Sequence, residues 1–131
     1  MALPNGAGGY QIGDGNSSEA QLFVQSAPTA LTAGATATAA QLSGGMFTFN
    51  GTAGNLTLPT VADLEAGIPN AVKVNAAFDF FVVNIDGVDA VTLVVGTGWT
   101  IVGVAAVSAS TSAQFRARKT GDGAWSLYQV G

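Results

Sequence analysis

The sequence predicts an all-β fold: a β-sandwich or jelly roll of about eight strands, with one short helix and an N-terminal arm. Three observations carry this expectation. The stretch Phe78 to Val95 places two apolar, β-branched and aromatic runs on either side of a polar insert containing Asp86-Gly87, which reads as a central β-hairpin. Similar strand signals recur along the chain at roughly 8–12-residue spacing, separated by Gly, Pro, Asn and Asp turns. Helix start and stop signals coincide convincingly at only one place, Thr60 to Pro69.

Residues 1–20 contain Gly6, Gly8, Gly9, Gly13 and Gly15. Ordering so many glycines costs backbone entropy that a segment with few core residues does not recover alone. The expectation is therefore an extended arm over residues 1–20, with the sandwich domain over residues 21–131. Leu3, Tyr10 and Ile12 are the arm's sizeable anchors and its candidate partner-binding residues; Tyr10 and Ile12 share one face of an extended chain.

Glu19 to Gln25 reads as a short strand ended by Pro28. Thr29 to Thr38 alternates Thr with Ala and Leu and is interrupted by Gly34, which suggests one strand with a bend. Ala39 to Leu42 is long enough for only a single turn, closed by Gly44-Gly45. Met46 to Asn50 alternates with Phe47 and Phe49 inward, and Asn55 to Leu58 returns with Leu56 and Leu58 inward. Thr60 is an N-cap for a helix through Val61, Leu64 and Ile68, stopped by Gly67 and Pro69. In Phe78 to Asn84 both faces are mostly apolar, so the strand belongs in the middle of a sheet. Trp99 to Ala106, Ala113 to Lys119 and Ala124 to Val130 complete the set, with Phe115 and Ala117 inward and Gln114, Arg116 and Arg118 outward.

Composition narrows the functional classes. Charged residues make up 9% of the 131 residues, against roughly 25% in ordinary domains. Surfaces so poor in charge suit proteins held in assemblies. The net charge of −4 argues against nucleic acid. The chain has neither Cys nor His, so it lacks thiolate chemistry, disulfides and the commonest general base and metal ligand. No apolar run reaches the roughly 18 residues that span a bilayer. The first residues lack the basic and apolar regions of a signal peptide, so synthesis and folding in the cytoplasm are expected. No enzyme activity, cofactor, metal or membrane partner is expected.

Several constellations admit two readings. Asp86 and Asp89 flank one turn and are either Ca²⁺ ligands or solvated turn residues; the ligand density favours the turn. Asp63 and Glu65 stand two apart on one helix and do not face each other. Arg116 and Arg118 share a strand face, positioned to grip a partner's carboxylates or to pair internally, for instance with Asp79. Internal pairing is favoured, because an Asp in an apolar strand needs a partner. Trp99, Trp125, Tyr10 and Tyr128 form either a sugar-stacking platform or core packing, and the core is the expected place.

Met1 to Asn16 (MALPNGAGGYQIGDGN), Thr57 to Glu65 (TLPTVADLE), Phe78 to Asn84 (FDFFVVN), Gly96 to Trp99 (GTGW) and Ala113 to Lys119 (AQFRARK) together resemble small head-decoration (cement) proteins of tailed phages. The resemblance covers most of the chain and has no catalytic content. It implies a β-sandwich on the outside of an icosahedral capsid, bound to the major capsid protein and self-associated, commonly as a homotrimer at threefold positions. The alternative is a head or tail fibre module that recognises host-surface glycans through exposed aromatics such as Trp99 or Trp125. A glycan-cleaving enzyme lacks a recognisable carboxylate pair.

Overall fold

A computed structural model describes residues 22–131 of the protein. Its elements run β1 (Thr29–Leu31), β2 (Ala35–Thr36), α1 (Ala39–Gly44), β3 (Met46–Phe49), β4 (Gly54–Thr57), α2 (Val61–Gly67), β5 (Ala77–Asn84), β6 (Val91–Val94), β7 (Trp99–Val102), β8 (Ala106–Val107), β9 (Ser112–Gly121) and β10 (Ala124–Gln129). They form a six-stranded sheet, β1-β3-β5-β9-β10-β7, and a four-stranded sheet, β2-β4-β6-β8. The expected predominance of β structure is present, as two sheets whose inward residues share one core. Leu3, Tyr10, Ile12 and the rest of the arm expectation lie outside the described residues.

The connectivity differs from the expected hairpin. β1 to β2, β3 to β4 and β5 to β6 each cross from the six-stranded to the four-stranded sheet, so each pair is a β-arch. Successive arches stack in parallel: β1 with β3 and β3 with β5 in one sheet, β2 with β4 and β4 with β6 in the other. This parallel stacking is not the antiparallel Greek-key arrangement of a jelly roll. Phe78 to Val95 is thus not a hairpin. β5 uses one edge to pair with β3 and the other to pair antiparallel with β9, which leaves no edge for β6. Thr29 to Thr38 is likewise two strands in different sheets rather than one bent strand. Gly34 sits in that crossover, where an added Cβ would lie 3.2 Å from Asn55 O, so the first two arches approach backbone to backbone.

Two further expectations are corrected. Leu22 to Gln25 has no strand structure; the three apolar side chains there are 87–97% exposed and pair with no sheet. The turn at Ala39 is a six-residue helix, so there are two helices rather than one among the described residues. Thr38 and Gln41 make a reciprocal capping box, which the sequence T-A-A-Q already contained. The helix from Val61 forms as expected: Thr60 Oγ1 accepts from Asp63 N at 3.2 Å and the segment ends at Gly67.

Alternation places the core correctly. Phe47, Phe49, Leu56, Leu58, Phe115 and Ala117 are all buried. Phe80 stacks on Phe115 at 5.4 Å between centroids and meets Phe47 edge-on at 6.1 Å, geometries that aromatic quadrupoles favour. Trp125 and Trp99 are core residues, as expected, with centroids 6.0 Å apart. Trp99 Nε1 donates to Pro59 O at 2.8 Å and Trp125 Nε1 to Glu65 Oε2 at 3.1 Å.

Two buried polar groups hold the layers together. Asn84, at the end of β5, is 1% exposed. Its Nδ2 donates to Asp89 O at 2.8 Å and to Val107 O at 3.1 Å, while its Oδ1 accepts from Asp86 N at 3.1 Å. One amide thereby ties the arch turn and the four-stranded sheet to the six-stranded one. Lys119, inward on β9, reaches Glu65 on α2 at 2.8 Å and Ala71 O at 3.3 Å. This clamps α2 over the sandwich.

Replacing Asn84 with Ala is expected to cost about 2–3 kcal/mol, since the Val107 and Asp89 carbonyls lose their donor inside the protein. Urea denaturation checks it, and a change within 0.5 kcal/mol (about the scatter of a neutral surface substitution) would contradict the role given to Asn84. The Lys119 ammonium, then the Trp125 indole N–H, hold the Glu65 carboxyl below its ordinary range. A depressed folded pKa gives stability that is present above the unfolded value and lost as pH falls through the folded one. Thermal melts of Glu65→Gln and of the natural chain should therefore converge as pH falls through and below the usual glutamate range, and separate toward neutrality.

Candidate protein-docking face

The outward residues of the six-stranded sheet fall into rows set by strand register. One row runs Met46, Phe81, Gln114, with Val130 next to Gln114 through a backbone bond of 2.9 Å. The next runs Asp79, Arg116, Tyr128, Val102, and a third Ala77, Arg118, Ser126, Thr100. Phe81 is 40%, Val102 47% and Val130 52% exposed. The outer face of the four-stranded sheet differs: its rows are Thr36-Thr57-Val94 and Asn55-Thr92-Ala106, small and mostly polar. Aromatic residues, Met and Arg on one face, against Thr and Asn on the other, is the contrast between a contact surface and a solvated one.

Arg116 and Arg118 both project outward, as alternation predicts, but their surroundings differ. Arg116 makes a bidentate pair with Asp79, Nε–Oδ1 2.6 Å and Nη2–Oδ2 2.8 Å, and Gln114 Nε2 donates to the same carboxylate at 3.2 Å. The Arg116 guanidinium holds the Asp79 carboxyl below the usual range. The favoured internal pairing of Asp79 is therefore present. Arg118 instead donates from Nε and Nη2 to Tyr128 Oη at 3.1 and 2.8 Å, and from Nη1 to Asn75 Oδ1 at 2.8 Å. Among the described residues it has no carboxylate partner. Asn75 takes a positive φ of 74°, a conformation Asn adopts more readily than most residues. Its N–H bonds to Lys119 O at 2.8 Å. The turn thus aims an amide at Arg118 and orients it. Sequence reasoning found both arginines but expected Tyr128 in the core, whereas strand register puts it outward beside Arg118, and it did not single out Asn75, which a turn brings there.

The other candidate sites resolve into structural roles. The Asp86 carboxylate accepts from Val88 N at 3.0 Å and Asp89 N at 2.6 Å, a turn closed on itself. A hollow of about 530 Å³ between the two helix starts is lined by Thr36, Thr38, Thr57, Thr60 and Asp63, with the capping hydroxyls already engaged. Among the described residues no group of three His, Cys, Asp or Glu side chains is placed to hold a metal ion, and no helix is long and apolar enough to cross a membrane. No family model matches the chain, and no curated protein or solved structure matches it either.

A double-mutant cycle on Asp79→Ala and Arg116→Ala should give a small coupling that shrinks with added salt, as solvent-screened surface pairs do. A salt-independent coupling well above that would assign the pair a larger role in the fold.

Proposed function

We propose that this chain is a non-enzymatic virion structural protein, a capsid decoration (cement) protein that binds the outside of an icosahedral head and bridges its subunits. The observation that carries the reading is the outer face of the six-stranded sheet, where Val102, Tyr128 and Arg118 stand together and, among the described residues, Arg118 meets only neutral partners. An oriented guanidinium with apolar neighbours is suited to a carboxylate on a protein surface, here one supplied by the major capsid protein. The sparse charge and the resemblance to phage cement proteins support the same setting. Stabilisation works by mass action: ligands that bind only the assembled shell shift its equilibrium away from disassembly. Threefold capsid positions would suit a homotrimer. The partner is protein, with neither nucleic acid nor membrane engaged. The glycan-binding alternative loses its proposed platform, since Trp99 is 8% and Trp125 1% exposed.

Purified protein added to capsids that lack it should bind saturably and raise the temperature at which they lose their contents. Arg118→Glu should weaken that binding tenfold or more with an unchanged circular dichroism spectrum. Capsids that neither bind the protein nor gain heat resistance would rule the reading out.

A further inference from the structure

Arg116 and Arg118 share one face of β9, and β5 meets them with different residues. Asp79 stands opposite Arg116 and engages its guanidinium from two sides, whereas Ala77 stands opposite Arg118 and offers only a methyl group. Ala77 is exposed, and a hollow of about 350 Å³ opens beside it, lined also by Phe78, Asp79 and Arg116. The cross-strand position that supplies a carboxylate to one arginine is therefore open for the other.

Donors are in surplus around that opening. A guanidinium carries five N–H groups, and Arg118 commits three of them to Tyr128 and Asn75. Two remain. Tyr128 Oη accepts from both Arg118 Nε and Nη2, and arginine has no acceptor to offer in return. The phenol proton is thus without an acceptor among the described residues. Hydrogen bonding from Arg118 first, and from the Ser126 hydroxyl to a lesser degree, holds the Tyr128 phenol below its ordinary range, which strengthens its O–H as a donor. The Asp79 carboxylate shows what such a set accommodates: it takes three donors, two from Arg116 and one from Gln114.

We propose that Arg118 and Tyr128 form one site for a carboxylate supplied by another protein, seated over Ala77, with the Tyr128 O–H donating to it directly. The source rests on the reading of the preceding subsection; Tyr128 and the opening at Ala77 are added as what selects the ligand. Two N–H groups and one O–H with no free acceptor among them suit an anion and disfavour an amide or an ammonium. The small side chain at Ala77 leaves the place that Asp79 fills for Arg116.

The chain has two tyrosines, Tyr10 and Tyr128, so a Tyr10→Phe background leaves Tyr128 as the single phenol, whose ionisation ultraviolet absorbance follows. A carboxylate that accepts from the O–H binds the protonated phenol more tightly than the phenolate, so it raises the ionisation midpoint. Sodium acetate should raise it by about half a pH unit, roughly a threefold preference, over sodium chloride at the same ionic strength. Arg118→Gln should abolish that difference. Ala77→Asp, which places a carboxylate in the opening from within, should raise the midpoint without acetate and remove the response to it, with an unchanged circular dichroism spectrum. Equal midpoints in acetate and chloride would overturn the proposal, as would a difference that persists in Arg118→Gln. A response that appears only after Asp14→Asn and Glu19→Gln would show that the chain's own carboxylates fill the site, and would overturn it equally. Ala77→Asp should also weaken capsid binding at least tenfold. Because the acetate titration uses no capsid, a natural chain that fails to bind capsids removes the earlier reading and leaves the carboxylate site to stand or fall on its own.

Discussion

The amide of Asn84 is the contact on which the arrangement of the two sheets depends. A strand that ends in a hairpin keeps its successor in the same sheet; a strand that ends in an arch must send it across the core. At the point of crossing, backbone groups of the turn and of the other sheet face the interior and need partners. Asn84 supplies two donors and an acceptor there, bonding Asp89, Val107 and Asp86 from a site with almost no solvent access. In register it stands over Phe49, which stands over Leu31, so the polar pin sits at the end of an apolar ladder formed by the stacked arches.

The remaining contacts close this stack. β9 covers the free edge of β5, and its inward residues Ala113, Phe115 and Ala117 continue the core. The same alternation delivers Lys119 to the interior, where an uncompensated ammonium would be costly. Glu65 meets it from α2, and the Trp125 indole completes the carboxylate's shell. The helix is too short to be stable by itself, yet it is capped by Thr60 and tethered through Glu65. Close approach at its start leaves no room for a side chain at Gly98, which takes φ of 94° and where a Cβ would meet Gly123 O at 2.7 Å.

The two outer faces of this scaffold differ in composition. The four-stranded sheet turns threonine and asparagine to solvent; the six-stranded sheet turns out Met46, Phe81, Tyr128, Val102 and two arginines. One arginine is engaged by Asp79, while the other is oriented by neutral groups.

Much of the local structure was legible in the residue order. Period-two alternation determined which side chains of β3, β4 and β9 are inward, and Thr60 with Gly67 and Pro69 bounded α2, because these are short-range consequences of backbone geometry. The Asp79–Arg116 pairing followed from the need of a carboxylate in an apolar strand for a partner. The capping box at Thr38 is equally local, but it was not read, and the helix it starts is longer than the single turn expected at Ala39. What the order of residues did not determine was the assignment of strands to sheets. Asp86-Gly87 between two apolar runs is as compatible with an arch as with a hairpin, and the choice rests on which edges of β5 are already occupied. Those edges are taken by β3 and β9, from residues about 35 positions away on either side. The same holds for Tyr128 and Asn75 around Arg118 and for Glu65 facing Lys119: each residue type was visible in the sequence, but only long-range register brought the partners together.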